Sequence, residues 1–312
     1  MYVYGYFLHA WCAKCHSTYM EVRDVRVLDR TGRVPSSVAS VVARLAQDRP
    51  AVVTVGDLAV IIDETDTGRA VESVLRELVA SNWLVPTGRR GVWAFLAPGE
   101  DEIIDPYIDL RAWATKKGVV FALAGEAAAW HLGLLARRAT GPVSIWIPEH
   151  TVIPRAMRDD FSTVTLGWAA EMVDRVGPRR AWLRERGLDL TRWSSGLPAF
   201  GSEALLVQLA ARPTSFRPWG DLAVNLGQLA NACNQSMLLG LLDGQSTPAH
   251  QRAAYLLDIG QQPELAATVL AARPTQPLSR LTLGDGTEGV WSKTYRITDR
   301  LVAPFLEQFG KA

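Results

Sequence analysis

Residues 51–96 read AVVTVGDLAVIIDETDTGRAVESVLRELVASNWLVPTGRRGVWAFL. A short β-branched run opens the stretch at 51–54, and Thr54 is placed to cap a helix over 55–62 whose Leu58, Ile61 and Ile62 share one face. The polar run 63–68 separates it from a second helix over 69–82, where Val71, Val74, Leu75, Leu78 and Val79 form one buried stripe. Two strands, 84–86 and 92–96, then flank TGRRG, a glycine-bounded tip carrying two arginines. Helix, turn, helix and hairpin in this order predict a winged helix-turn-helix, a module that commonly sets its second helix in the major groove.

The residues expected to meet DNA follow from that placement. Thr54 lies at the entry of the first helix, Arg69, Ser73 and Arg76 on the outer face of the second, and Arg89 and Arg90 on the wing. The helix would read base edges while the wing arginines meet phosphates or the minor groove. Glu72 and Glu77 stand beside the helix arginines, and acidic residues slightly outnumber basic ones across 36–96. Non-specific electrostatic affinity is therefore expected to be modest, with specificity resting on a few placed arginines. A module that only contacts protein is the alternative reading.

Composition narrows the class. The chain has 312 residues, 48% of them hydrophobic, and a formal net charge of +1, so no bulk field draws it to nucleic acid or to a membrane surface. Its length accommodates two cores. No apolar run approaches the roughly 18–20 residues that span a bilayer, so no membrane partner is expected. The 3 cysteines give no disulfide framework, which fits a reducing cytoplasm.

The first 35 residues carry Cys12-Ala13-Lys14-Cys15-His16, the spelling of a covalent c-type haem site, and with His9 a crowded zinc-ligand set. Neither reading is adopted. Haem attachment of this kind takes place outside the cytoplasm, and residues 1–11 lack the basic start and cleavage site of a signal peptide. No cofactor and no metal are expected, and residues 1–35 read as an N-terminal extension, ordered or disordered.

The remaining chain divides into the winged domain at 36–97, whose first helix spans 36–47, an acidic linker, and a second domain at 106–312. That domain opens with a helix over 105–117 and alternates strands (119–123, 143–147, 162–168) with a small-residue helix at 125–134. It is mostly helical over 202–270 and ends in strands at 278–283 and 289–297. The expected fold class is α+β: an N-terminal winged helix-turn-helix followed by a larger mixed α/β domain with a helical C-terminal portion.

No nucleotide-binding loop, zinc-protease signature or nucleophile elbow occurs, so no catalytic residue is assigned. His131 and Glu126 form at best a sparse acid/base pair, and a structural histidine is the simpler reading. Arg175, Arg179, Arg180, Arg184 and Arg186 would make a second phosphate-binding face, or, with Asp174, Glu185 and Asp189 interleaved, a salt-bridged helix.

Several segments together resemble the AbiEi family, the antitoxins of abortive-infection toxin–antitoxin systems, and in particular its mycobacterial-type members. They are TVGDL (54–58), VLRELVASNWLV (74–85), the arginine-glycine wing running into Trp93–Phe95, AGEAAAWHLGL (124–134), VSIWIP (143–148) and GLPAFGSEALLVQL (196–209). The resemblance runs from residue 36 to the C-terminus and does not include the CxxCH stretch. It implies a cytoplasmic DNA-binding antitoxin that represses its own operon at promoter repeats and counteracts a nucleotidyltransferase-type toxin. Neutralisation in this family is described both with and without direct contact. A C-terminal domain that modifies the toxin enzymatically, with the winged helix as docking arm, and a ligand-sensing transcription factor are the competing readings.

Overall fold

The structure, a computed structural model, describes residues 34–138, 140–176, 197–274 and 277–309. The Cys12/Cys15/His16 motif and the arginines at 179, 180, 184 and 186 lie outside the described residues. The chain forms two compact units, residues 1–117 and 118–312.

In the first unit a 3-10 turn, Ser36–Val38, leads into α1 (Ala39–Asp48). Val38, Val41, Val42 and Leu45 recur at helical spacing and are all buried. Arg49 ends the helix in the left-handed region (φ 46°) and returns its N–H to the Leu45 carbonyl at 2.8 Å. β1 (Val52–Thr54), α2 (Val55–Glu64), α3 (Val71–Ala80), β2 (Leu84–Pro86) and β3 (Val92–Phe95) follow in the expected order. The strands make an antiparallel sheet of order β1-β3-β2, with Val53 opposite Trp93 and Val85 opposite Ala94. Leu58, Ile61, Ile62, Val74 and Leu78 meet the α1 stripe in one core, closed by Trp83 stacked on Phe95 at 6.4 Å.

One boundary differs from the sequence reading. The helix expected to open the second domain is α4 (Ile108–Ala114), and it belongs to the first unit. The acidic run before it suggested a linker. Instead Asp105 accepts from the Tyr107 N–H and pairs with the buried Arg111, which fastens the segment rather than freeing it.

The second unit pairs two small sheets with a helical core. β4 (Ala122–Leu123), β5 (Val143–Trp146) and β6 (Phe161–Val164) form the first sheet, antiparallel between β4 and β5 and parallel between β5 and β6. Gly125–His131 is α5, and a short α6 covers Val173–Val176. The centre is α7 (Ser202–Ala211), buried from Ser202 to Ala210 on every face, as an almost uniformly apolar helix must be. Around it lie α8 (Trp219–Ala223), α9 (Leu226–Asn231), α10 (Gln235–Leu242), α11 (Thr247–Ile259) and α12 (Pro263–Ala271). Trp146, Trp168 and Phe200 form an aromatic cluster with centroids 5.7–6.4 Å apart, and the Trp168 indole N–H donates to Leu241 O at 3.0 Å.

The second sheet corrects the expected final strand at 289–297. That stretch breaks into β8 (Val290–Ser292) and the start of β9 (Ile297–Asp299), turning at 293–296 where Arg296 takes φ 49°. With β7 (Leu281–Leu283) the order is β7-β9-β8. Asp299, fully buried, accepts from the amides of Leu301, Val302 and Ala303 at the start of α13 (Ala303–Phe309) and from the Tyr255 hydroxyl at 2.8 Å. Burial, with Asp299 beside it, pushes the Tyr255 phenol above its ordinary range. The Tyr295 phenol is pushed up to about 12 by burial and by Asp258.

The polar side chains of α7 are held by specific bonds. Glu203 accepts from Asn234 N at 2.7 Å, and Gln208 accepts from Gly125 N at 2.8 Å while donating to Ser215 Oγ at 3.1 Å. Gly125 has φ +50°, and a Cβ there would stand 3.1 Å from Ser144 Cβ and 3.2 Å from Gln208 Nε2. At Gly133, with φ +71°, nothing lies within 4 Å of a built Cβ. Gly133→Ala therefore costs only backbone strain, about 1 kcal/mol, and Gly125→Ala about 2–3 kcal/mol, because it adds a clash at a buried hydrogen bond. Urea unfolding of the two variants checks the order.

Candidate nucleic-acid interface

α2 begins where the sequence places it because Thr54 and Asp57 form a capping box. The Asp57 N–H donates to Thr54 Oγ1 at 3.2 Å and the Thr54 N–H to Asp57 Oδ2 at 2.8 Å. The Thr54 hydroxyl also donates to Asp57 at 2.7 Å. Both hydroxyl functions are thus used locally, and Thr54 stands in this structure as a helix cap.

At the other end of the module Arg69, Ser73 and Glu77 form one network. Arg69 Nη1 donates to Glu77 Oε2 at 2.8 Å and to the Ser37 carbonyl at 3.0 Å, and Nη2 donates to Ser73 Oγ at 3.1 Å. The Ser37 hydroxyl donates to the second Glu77 oxygen. Arg69 precedes α3 and Glu77 lies in it, so the network ties the helix to its own approach and to the turn before α1. The hydrogen bonds from Ser37 and Arg69 hold the Glu77 carboxyl below the usual carboxylate range. The sequence placed Glu77 as a neighbour that weakens DNA affinity. In the fold it is the acceptor that organises Arg69 and Ser73.

The β2–β3 hairpin is held just as specifically. Thr87 Oγ1 donates to Val92 O at 2.8 Å across the tip, and the Thr87 N–H reaches the same carbonyl at 3.3 Å. Gly88 N donates to Asp109 Oδ1, in the first turn of α4, at 2.7 Å. A Cβ at Gly88 would sit 3.2 Å from that oxygen, so glycine is what lets the amide approach. Arg89 extends to the far end of α4, where Nη1 donates to Ala112 O at 2.9 Å and to the Thr115 hydroxyl. A guanidinium on the last carbonyls of a helix satisfies orphan acceptors and opposes the negative end of the dipole.

Arg76 and Arg90 differ from the others. Both are exposed, and neither makes an ion pair among the described residues. Of the candidate contacts named from sequence, these two have guanidinium groups with no hydrogen-bond acceptor or ion-pair partner among the described residues, one on α3 and one at the β2–β3 tip.

In the second unit Glu126 and His131 do not form an acid/base pair in any bond described. Glu126 Oε1 accepts from the Arg217 N–H at 3.3 Å, and His131 is buried beside Trp130, ring centroids 5.2 Å apart. Among the described residues no group of His, Cys, Asp and Glu side chains is arranged to hold a metal, and no helix is long and apolar enough to cross a membrane.

The AbiEi antitoxin C-terminal domain matches residues 120–259, inside the second unit. The crystal structure of the RV2827C protein from Mycobacterium tuberculosis superposes with a TM-score of 0.77 at 43% sequence identity, over 89% of this chain and 96% of that one. The chain belongs to the AbiEi antitoxin family. No curated protein matches it. The AbiEi domain match makes the chain an antitoxin of a toxin–antitoxin system with an α+β fold, and implies a toxin partner. The matched residues cover α5, β5 and α7, the elements that carry the AGEAAAWHLGL, VSIWIP and SEALLVQL segments.

Two measurements follow from the geometry. Arg89→Ala removes a charged donor from the end of α4 and is expected to cost the first unit about 1–2 kcal/mol in urea unfolding. Glu77, with its folded pKa below the ordinary value of 4.5, contributes stability that is complete above that pH. The contribution is lost as pH falls from there through the depressed value. Glu77→Gln should remove that part of the acid limb and leave the neutral-pH slope unchanged, read from unfolding midpoints against pH.

Proposed function

We propose that this AbiEi antitoxin is a sequence-specific DNA-binding protein that represses its own operon at promoter repeats and counteracts a nucleotidyltransferase-type toxin in the cytoplasm. The observation that carries the DNA role is the first unit's element order, helix, strand, two helices and a hairpin, with one unpaired exposed arginine on the second of those helices and one on the hairpin tip. We read this unit as a winged helix. α3 then enters the major groove with Arg76, and the wing lays Arg90 on phosphate or in the minor groove.

Arg69, Ser73 and Arg89 take a different part in this reading. They fix the angle of α3 and the position of the wing, and their effect on DNA is through that placement. Thr54 acts as the cap of α2. The role requires no catalysis, cofactor or metal.

Mobility-shift titrations on the chain's own promoter test the assignment. Arg76→Ala and Arg90→Ala should each weaken binding, and removing one phosphate-binding cation lowers the slope of log K against log salt by about 0.9. If Arg76 reads a base edge, its removal would instead relax preference at one operator position, at a cost of about 1–3 kcal/mol. Absence of any shift at low salt with the unaltered protein would sink the DNA role. Relief of growth arrest when the chain is co-expressed with the nucleotidyltransferase-type protein of the same operon tests the antitoxin half separately.

A further inference from the structure

The β7-β9-β8 sheet has β8 at one edge, and that strand exposes large apolar side chains. β9 is central, with Ile297 and Asp299 fully buried, and Leu283 of β7 is buried with them. The opposite face carries Thr282, Thr298 and Trp291 in one register row. On β8, Trp291 is 45% exposed and its neighbour Val290, pointing the other way, is 41% exposed. Both faces of β8 are therefore open, and its outer side pairs with no strand among the described residues.

Charge is segregated along this hairpin. Arg280 lies over the Trp291 ring, its Cζ 5.0 Å from the centroid. Lys293 and Arg296 are exposed in the turn that follows β8, and Arg296 is anchored by donating to Leu278 O at 3.0 Å. Segments 278–281 and 292–297 contain no acid, while Asp285 and Glu288 sit in the loop at the opposite end. Asp258, the carboxylate packed against this turn, takes the Tyr295 hydroxyl. An aromatic ring with a stacked arginine, rimmed by cations, has the composition of an interface anchor.

The geometry points to β8 as a docking edge for an extended, carboxylate-bearing polypeptide segment. Such a segment would add a strand to β8, cover Trp291 and Val290 from its two faces, and set its carboxylates against Arg280, Lys293 and Arg296. A single-stranded nucleic acid fits less well, because the guanidinium of Arg280 already occupies a face of the ring on which a base would stack. The edge is short, so the main chain supplies few hydrogen bonds and Trp291 with its cations must supply the selectivity. This inference is independent of DNA binding by the first unit.

Calorimetric titration of the full chain with the peptide Ac-EVTVEVE-NH2, its lysine counterpart Ac-KVTVKVK-NH2 and a short oligothymidylate tests it. The acidic peptide should bind, more weakly as salt rises, and the lysine peptide should not. Trp291→Ala and Arg280→Glu should each weaken the acidic peptide at least about tenfold, with thermal unfolding unchanged because both side chains are exposed. Trp291→Phe should restore most of the binding. No binding of the acidic peptide, equal binding by these variants, or equal binding of the lysine peptide overturns the proposal. So does oligothymidylate binding that Trp291→Ala abolishes while the acidic peptide stays unbound. Promoter shifts with the same variants report on the first unit alone, so the two readings fail separately.

Discussion

A guanidinium carries five N–H donors in a rigid fork, and a donor already bonded inside the fold is not free for a ligand. That constraint sorts the first unit. Arg69 is used by Glu77, Ser37 and Ser73, Arg89 by the carbonyl end of α4, and Arg111 by Asp105. The first two join pieces of chain distant in sequence, the turn before α1 with the approach to α3 and the β2–β3 hairpin with α4, and the third closes α4 onto the segment just before it. Apolar stripes specify that helices pack, but they are tolerant of small rotations and slides. Directional donors add constraints of angle that the core alone does not impose on α3 and on the β2–β3 hairpin. Charge in this unit serves placement first.

The second unit meets the same constraint with side chains buried in its core. A helix as buried as α7 must bring any polar side chain to a partner, since an unpaired buried amide costs about 1–3 kcal/mol. Gln208 answers this by closing on the backbone N–H of Gly125, which joins the centre of the helical core to the start of α5. Asp299 does the same at the other end of the unit, gathering the amides that begin α13 and the Tyr255 hydroxyl into one site. These contacts fix which elements adjoin, where the Leu- and Ala-rich surfaces alone would allow several packings.

Much of this organisation was legible in the sequence, and the exceptions share a cause. Helical spacing located α1, α2 and α3, and glycine and proline punctuation located β2, β3 and β5. The boundary before α4 was misread because an acidic run beside Pro98 and Gly99 looks like a linker. Nothing local reveals that Asp105 will pair with Arg111, or that Asp109 will receive the Gly88 amide. The strand drawn over 289–297 failed at Lys293–Arg296, where a turn forms with no glycine because Arg296 accepts the left-handed conformation. At the candidate site, residue types were readable but their assignments were not. Arg69, Arg76, Arg89 and Arg90 look alike in one dimension. Whether each finds an acceptor within the fold is a three-dimensional fact.

That sorting also bears on how so nearly neutral a chain would recognise a promoter. With a net charge of +1 the general attraction to a polyanion is slight, and a module with many free cations would bind any duplex. On the proposed reading, committing Arg69 and Arg89 to internal acceptors lowers the number of mobile positive charges that would face the groove. The contacts that remain, Arg76 and Arg90, are then presented from elements that cannot easily shift to suit a wrong sequence. On the proposed reading, discrimination comes from the rigidity of the frame and affinity from the small number of contacts it presents. Binding at repeated sites then adds affinity through multiplicity, with no need for a larger charge on each copy.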